Sequence, residues 1–241
     1  MRKFLFVRLP FKTILNILFD IVCMGLYHST HAKNGVNSNA FGSLKQMNIA
    51  HFFTLLRIFI SPLFPVIYLE YRWLGIPLTW LPYLLLGLLV ICECSDLFDG
   101  FLARRKNQVT DLGKVLDPMA DSITHISLFL TFTQGIIGLP LLLVFVFLYR
   151  DLFISTLRTV CALRGVALAA RFSGKIKAVM QAVVAFMILF LMIFYTAELI
   201  TLDLLRQVSL FLVSIAALYT VISLGDYIVA NRIYIKKALE S

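Results

Sequence analysis

Four aspartates set inside apolar helical sequence constrain this chain more than anything else in it. The stretch from Asp96 to Asp121 reads DLFDGFLARRKNQVTDLGKVLDPMAD. An ionised Asp at the middle of a membrane helix costs about 2.5–3.5 kcal/mol on insertion scales. Four of them need a compensating partner, and a divalent cation supplies one. At about 100° per residue, Asp96 and Asp99 lie about 60° apart on one helix face, and Asp117 and Asp121 about 40° apart on another. An unbroken helix would hold the two pairs about 27 Å apart. They can share ions only if the chain turns back between them, and Arg105 to Leu112, RKNQVTDL, interrupts the apolar pattern where that turn is required. Gly100 and Gly113 flank the interruption, where a missing side chain lets a helix or a ligand approach the backbone.

The surroundings of this stretch set the class. With 60% hydrophobic and only 15% charged residues, the chain is not a soluble domain. Its long apolar runs must satisfy their backbone groups internally in lipid, which leaves helices. Six spans are predicted at 50–69, 77–98, 115–134, 136–157, 175–197 and 204–230. The net charge of +9 would suggest nucleic acid in a soluble protein, but its placement assigns it to orientation instead, and no nucleic-acid partner is expected. Lys45 precedes the first span, Arg104, Arg105 and Lys106 follow the second, Arg158, Arg164, Arg171, Lys175 and Lys177 follow the fourth, and Arg232, Lys236 and Lys237 follow the sixth. The opposite connections hold only Arg72. The positive-inside rule then puts both termini and both Asp pairs on the cytoplasmic side. No internal repeat is evident, which argues against an inverted-repeat transporter.

The expectation is therefore an all-α integral membrane protein, a bundle of six transmembrane helices with an N-terminal cytoplasmic or interfacial helix. Residues 1–46 form an N-terminal extension, flexible or interfacial, 47–235 the membrane domain, and 236–241 a cytoplasmic tail. In the extension, Arg8, Pro10, Lys12 and Asp20 break up the apolar run, so a secretion signal ending near Ala32 is disfavoured against a helix lying in the interface. His28 and His31 precede a polar linker, KNGVNSNAFGS. Cys92 and Cys94 diverge by about 160° on a helix and read as core thiols rather than a chelate.

Three residues near the pairs can be read two ways. Pro118 fits either a first helical turn or a kink, and a first turn would set Asp117 at or near a helix start. His125 lies one turn beyond Asp121, either orienting that carboxylate or serving as a hydrogen-bonded interior histidine. Glu93, one turn before Asp96, is either a group supporting the site or a protonated interior acid.

Written as a pattern, the stretch is D-x-x-D-G-x-x-A-R, eight residues, then G-x-x-x-D-x-x-x-D, met by Asp96, Asp99, Gly100, Ala103, Arg104, Gly113, Asp117 and Asp121. This resembles the signature of the CDP-alcohol phosphatidyltransferase family, and the likeness extends over about 47–231 as a six-span bundle. The resemblance implies a CDP-linked lipid whose CMP is displaced by an alcohol, with two divalent ions, Mg2+ or Mn2+, as cofactor. It implies Asp96, Asp99, Asp117 and Asp121 as metal ligands and Asp121 as the general base as well. Gly100, Ala103, Arg104 and Gly113 would bind the CDP-lipid. It further implies a homodimer in a bacterial-type inner membrane, with the active site facing the cytoplasm.

Outside the signature, Asn48-Ile49, Thr54, Arg57, Arg150-Asp151-Leu152, Leu157-Arg158, Gly174-Lys175-Ile176-Lys177 and Gln181 are similar to the phosphatidylglycerophosphate synthase branch of that family. The acceptor there is glycerol 3-phosphate, and Arg150, Arg158, Lys175 and Lys177 are the cations such a dianion would need. Ordinary cytoplasmic anchoring is the competing account of these cations. It is weakest for Arg150, which stands late in an apolar span. Asp151, where Glu is commoner, Ala178, where Thr is commoner, and Ser122, where Lys often follows, depart from the branch pattern. They keep cardiolipin, phosphatidylinositol-phosphate and phosphatidylserine synthases open as alternatives. An intramembrane prenyltransferase would carry its two Asp-rich motifs farther apart, and an ion transporter gives no reason for Gly100, Arg104 and Gly113.

Overall fold

The structure is a computed structural model that describes residues 49–105, 111–163 and 171–240, with side chains over 54–96, 118–161 and 171–235. The chain divides into two units, Met1–Met47 and Asn48–Ser241. The extension at 1–46, its histidines and its linker lie outside the described residues, and all of the described helices belong to the second unit.

Every described element is helical. In order they are α1 (Ile49–Ile60), α2 (Leu63–Glu70), α3 (Leu81–Arg105), α4 (Asp111–Phe132), α5 (Leu141–Leu163), α6 (Phe172–Thr196) and α7 (Leu202–Glu240). Two of them, α6 and the Leu202–Ile235 part of α7, are long and apolar enough to cross a membrane by length and composition. Large apolar side chains also cover the exterior, among them Leu84, Ile91, Phe190, Phe211, Leu218 and Val229. So large an apolar surface suits lipid and would be a liability in water.

The observed helices depart from the predicted spans in several places: those expected at 77–98 and 136–157 run later, at Leu81–Arg105 and Leu141–Leu163, and three departures bear on the site. The span expected at 50–69 is broken at Ser61 and Pro62 into α1 and α2. Proline has no N–H to continue the ladder, and Ser61 closes the end of α1 instead, with its backbone N–H at 2.9 Å and its hydroxyl at 2.7 Å from the Arg57 carbonyl. The third span begins at Asp111 rather than 115, so Pro118 is inside a helix and Asp117 is the seventh residue of α4, not near its start. The kink alternative for Pro118 is the one that fits this position. Finally, α7 is helical through Glu240. Its 39 residues make about 58 Å of helix, well beyond an apolar layer of about 30 Å.

The buried stripes of these helices share one gradient. On α6 the stripe begins with Lys177 and Gln181 and continues as Val184, Ala185, Ile188, Leu189 and Met192. On α4 it runs from Thr124 and His125 to Leu128, Phe129 and Phe132, and through α1 and α2 from Thr54, Arg57 and Ser61 to Phe64 and Tyr68. The helices running the other way reverse the order. On α3, Leu81, Leu85, Leu89 and Cys92 precede Ser95; on α5, Val144 and Phe147 precede Asp151; on α7, Leu205 and Val213 precede Thr220, Ser223, Tyr227 and Asn231. Because the chain alternates direction, all the polar ends lie at one end of the bundle. The other end is a close-packed core in which Phe129 stacks on Phe147 at 5.1 Å and Tyr68 meets Phe132 edge-on at 6.2 Å. The cysteines follow the same packing, with Cys92 buried and Cys94 exposed.

Candidate active site

Each Asp pair stands on one continuous helix. Asp96, Asp99, Gly100, Ala103 and Arg104 fall in α3, and Gly113, Asp117 and Asp121 in α4. The backbone therefore carries each pair one turn apart, as the spacing predicts. The side chains of Asp99, Ala103, Arg104 and Asp117, and the surroundings of Gly100 and Gly113, lie outside the described set. Asp96 and Asp121 are described.

Those two carboxylates come from different helices and share one electrostatic neighbourhood. Asp96 lies within Coulombic reach of Arg57, Asp121 and Glu93, and Asp121 within reach of His125, Lys177 and Arg57. The closest contact is Arg57 Nη1 to Asp96 Oδ1 at 2.6 Å. His125 Nδ1 stands 3.3 Å from Asp121 Oδ1 and 3.1 Å from the Asp121 carbonyl, while its Nε2 stands 3.2 Å from Glu93 Oε1, off the line of a good hydrogen bond.

Burial sorts these groups by charge. The side chains of Arg57 and His125 are 2% exposed, whereas Asp96 is 46% and Asp121 29% exposed. Cations are thus held behind the carboxylates, and the carboxylate oxygens look outward. A carboxylate held at one oxygen keeps lone pairs on the other for a ligand. Among the described residues no three His, Cys, Asp or Glu side chains form a group that could hold an ion.

A second polar network continues from the first along α5, α6 and α7. Lys177 Nζ donates to both oxygens of Asp151, at 3.0 and 2.8 Å. Arg150 donates through Nη1 to Asp151 Oδ1 at 3.0 Å and through Nη2 to Ser223 Oγ at 3.1 Å. Gly174 comes so close to Arg150 that a Cβ there would sit 3.3 Å from Nη2. Arg158, two turns along α5, donates from Nε to Tyr227 Oη at 3.2 Å and lies over the same ring at 5.5 Å. The start of α6 is fastened to α7 where Arg171 and Ser173 donate to Asp226 at 2.9 and 2.6 Å.

Of the four cations singled out in the sequence, Arg150 and Lys177 are thus joined through Asp151, Arg158 is held on Tyr227, and Lys175 is exposed. Among the described residues, Arg150 Nε and Gln181 Nε2 are buried donors in this region with no protein partner. The residues that motif reading passed over are Ser223, Asp226 and Tyr227. The available signal was a run of polar residues at helical spacing, Thr220, Ser223, Tyr227 and Asn231, inside an otherwise apolar last span.

Residues 47–222 match the CDP-alcohol phosphatidyltransferase family over their whole length. The chain belongs to that family. Family membership makes it a transferase of phospholipid biosynthesis, and the eight-position pattern in α3 and α4 lies inside the matched region. Among individual proteins, it is 38% identical over 78 residues to the enzyme called CDP-diacylglycerol--glycerol-3-phosphate 3-phosphatidyltransferase from Escherichia coli strain K12. The proteins of the same name from Escherichia coli O157:H7 and Shigella flexneri serotype 5b match to the same degree. In each case the aligned stretch is 32% of this chain and spans 40% of the relative's length.

Proposed function

We propose that this transferase makes phosphatidylglycerol phosphate and CMP from CDP-diacylglycerol and glycerol 3-phosphate. The observation that carries the reading is that Asp96 from α3 and Asp121 from α4 lie within each other's electrostatic reach, contacted by Arg57 and His125, with Lys177 of the Arg150–Asp151 network also within reach of Asp121. A hydroxyl of glycerol 3-phosphate attacks the phosphorus that bears the diacylglycerol. A new P–O bond forms, the P–O bond of the diphosphate breaks, and CMP leaves with the electron pair. Asp121 accepts the hydroxyl proton, for which its half-buried carboxylate has to come within hydrogen-bond reach.

Carboxylate oxygens are the hard donors that Mg2+ and Mn2+ select. Asp96 and Asp121 meet that requirement, and Asp99 and Asp117 complete the proposed set for two ions. When bound, such ions neutralise the diphosphate and stabilise the leaving phosphate. Gly100, Ala103, Arg104 and Gly113 are assigned to the CDP-lipid. Arg150 and Lys177 offer charge to the acceptor phosphate, and the partnerless Arg150 Nε and Gln181 Nε2 offer further donors. Arg158 and Lys175 are assigned to the approach of the dianion. On this reading the helices form six spans, with α1 and α2 together making the first, and the polar end of the bundle faces the cytoplasm as a homodimer in a bacterial-type inner membrane.

The deciding experiment supplies purified protein and CDP-diacylglycerol with glycerol 3-phosphate, inositol phosphate, serine or phosphatidylglycerol, and measures CMP. Release is expected with glycerol 3-phosphate; release with a different acceptor instead overturns the assignment. Asp121→Asn should abolish turnover and leave CDP-lipid binding measurable. Arg150→Ala should raise the KM for glycerol 3-phosphate by about 10-fold or more, as loss of a charged hydrogen bond worth about 1.5–3 kcal/mol requires, with a smaller change for the CDP-lipid.

A further inference from the structure

Among the described residues, α1 packs along both helices that carry the Asp pairs. Ligands shared between the pairs require the register of those helices to be accurate to a fraction of an ångström. His125 links the two. Rooted in α4, it places Nδ1 against Asp121 of its own helix and Nε2 against Glu93 of α3, at 3.3 and 3.2 Å. Each group facing the ring nitrogens is an oxygen acceptor, the Asp121 carboxylate and carbonyl on one side and the Glu93 carboxylate on the other. The ring is thus seated between an acid of α4 and an acid of α3. The ring is almost fully buried, so little water competes for these positions.

We propose that Glu93 and His125 form a bridge that registers α3 against α4 and fixes the rotation of the Asp121 carboxylate. Both are positioning residues: they touch neither substrate and act through Asp121. The bridge rests on the assignment of Asp121 as the base. A donor on one carboxylate oxygen stops the group from turning, so the other lone pairs keep a constant direction toward the incoming hydroxyl. The same bridge keeps Glu93 from swinging toward Asp96, whose charge already lies within its reach.

The test uses the full chain in detergent with four variants, each checked for monodispersity and thermal midpoint. His125→Ala and Glu93→Leu should each lower kcat by about 10- to 100-fold, the usual effect of removing a group that orients a metal-site ligand, with the KM for CDP-diacylglycerol changed less than threefold. The double variant should lose no more than the worse single one, because both break the same bridge. Glu93→Gln, which retains an acceptor oxygen for Nε2, should recover most of the rate. Independently of turnover, Mn2+ binding to lipid-free protein, followed by the electron paramagnetic resonance of the free ion, should weaken by about 10- to 100-fold in His125→Ala. Wild-type kcat and Mn2+ affinity in His125→Ala and Glu93→Leu, or losses that multiply in the double variant, would overturn the bridge. Asp121→Asn separates the two claims: if it turns over normally the base assignment fails, whereas if it is inactive and the bridge variants are normal only the bridge fails. Should His125→Ala not fold, Glu93→Leu and Glu93→Gln carry the test, since Glu93 is partly exposed.

Discussion

A lysine and an aspartate that are both almost fully buried persist because their charges are paired: Lys177 meets both oxygens of Asp151, which Arg150 also contacts. Removing one partner leaves an uncompensated charge, at a cost of about 3–5 kcal/mol, whereas replacing both with apolar residues of similar volume is often neutral. Asp151→Leu should therefore lower the thermal midpoint in detergent markedly, and adding Lys177→Met should restore part of the loss, the remainder falling on Arg150, which has also lost its acid. A double variant less stable than the single would contradict the pairing. In the sequence Asp151 was visible only as a departure from a branch pattern, and Lys177 only as one cation among several after the fourth span. Nothing in their spacing, 26 residues apart, says that they touch. Arg57 was similarly legible as a residue type at a familiar place, but its contact with Asp96 depends on how α1 lies against α3.

At the scale of elements, the connection from α4 to α5 shows how the apolar end is fastened. Gly135 adopts φ +68°, a left-handed conformation, and a Cβ there would sit 2.9 Å from Tyr68 Cε1. The Tyr68 hydroxyl in turn accepts from the backbone N–H groups of Ile136 and Ile137 at 3.0 and 3.1 Å. Arg206, at the start of α7, donates to the Ile136 carbonyl at 2.9 Å. Tyr68→Phe removes the acceptor for two backbone donors, one of them buried, and should cost about 1–3 kcal/mol. Gly135→Ala adds backbone strain of about 1–3 kcal/mol to that steric conflict. Both variants should unfold at lower temperature while the KM for either substrate stays within twofold, since this connection lies at the end of the bundle away from Asp96 and Asp121. A selective change in substrate KM would refute that separation. The sequence located this connection at Gly135 but began the next span at 136, where the helix starts only at Leu141, and it did not show the clasp, because Tyr68 is 68 residues from Ile136.

Over the whole molecule, the gradient from polar to apolar along each buried stripe does what no single motif can. It gathers Arg57, Glu93, Asp96, Asp121, His125, Asp151, Lys177 and Ser223 at one end and leaves the other end to aliphatic and aromatic packing. A site built from hard oxygen donors should need its ions: EDTA is expected to stop CMP release, and added Mg2+ or Mn2+ to restore it. Undiminished release in EDTA would remove the metal assignment. The family match begins at residue 47 and the second unit at Asn48, so a chain starting at Met47 should keep its turnover number within about threefold when purified in detergent. Loss of activity in that form, with the protein still monodisperse, would give the first 46 residues a part in the site.

The sequence by itself determined the helical class and the spacing that sets the members of each aspartate pair one turn apart on a single helix. Those properties follow from local periodicity and from the cost of placing charge in lipid, and both are readable within a few tens of residues. Only the tertiary structure decided which cation answers which acid. Arg57 on Asp96, His125 against Glu93, Lys177 on Asp151 and Arg150 on Ser223 are contacts between helices. Such pairings depend on how rigid cylinders rotate and slide against one another, and shifting a helix by one residue would change them without altering its pattern. The break at Pro62 and the interior position of Pro118 were settled in the same way, because a proline's fixed φ and missing N–H restrict a helix without saying whether the surrounding chain ends there or continues.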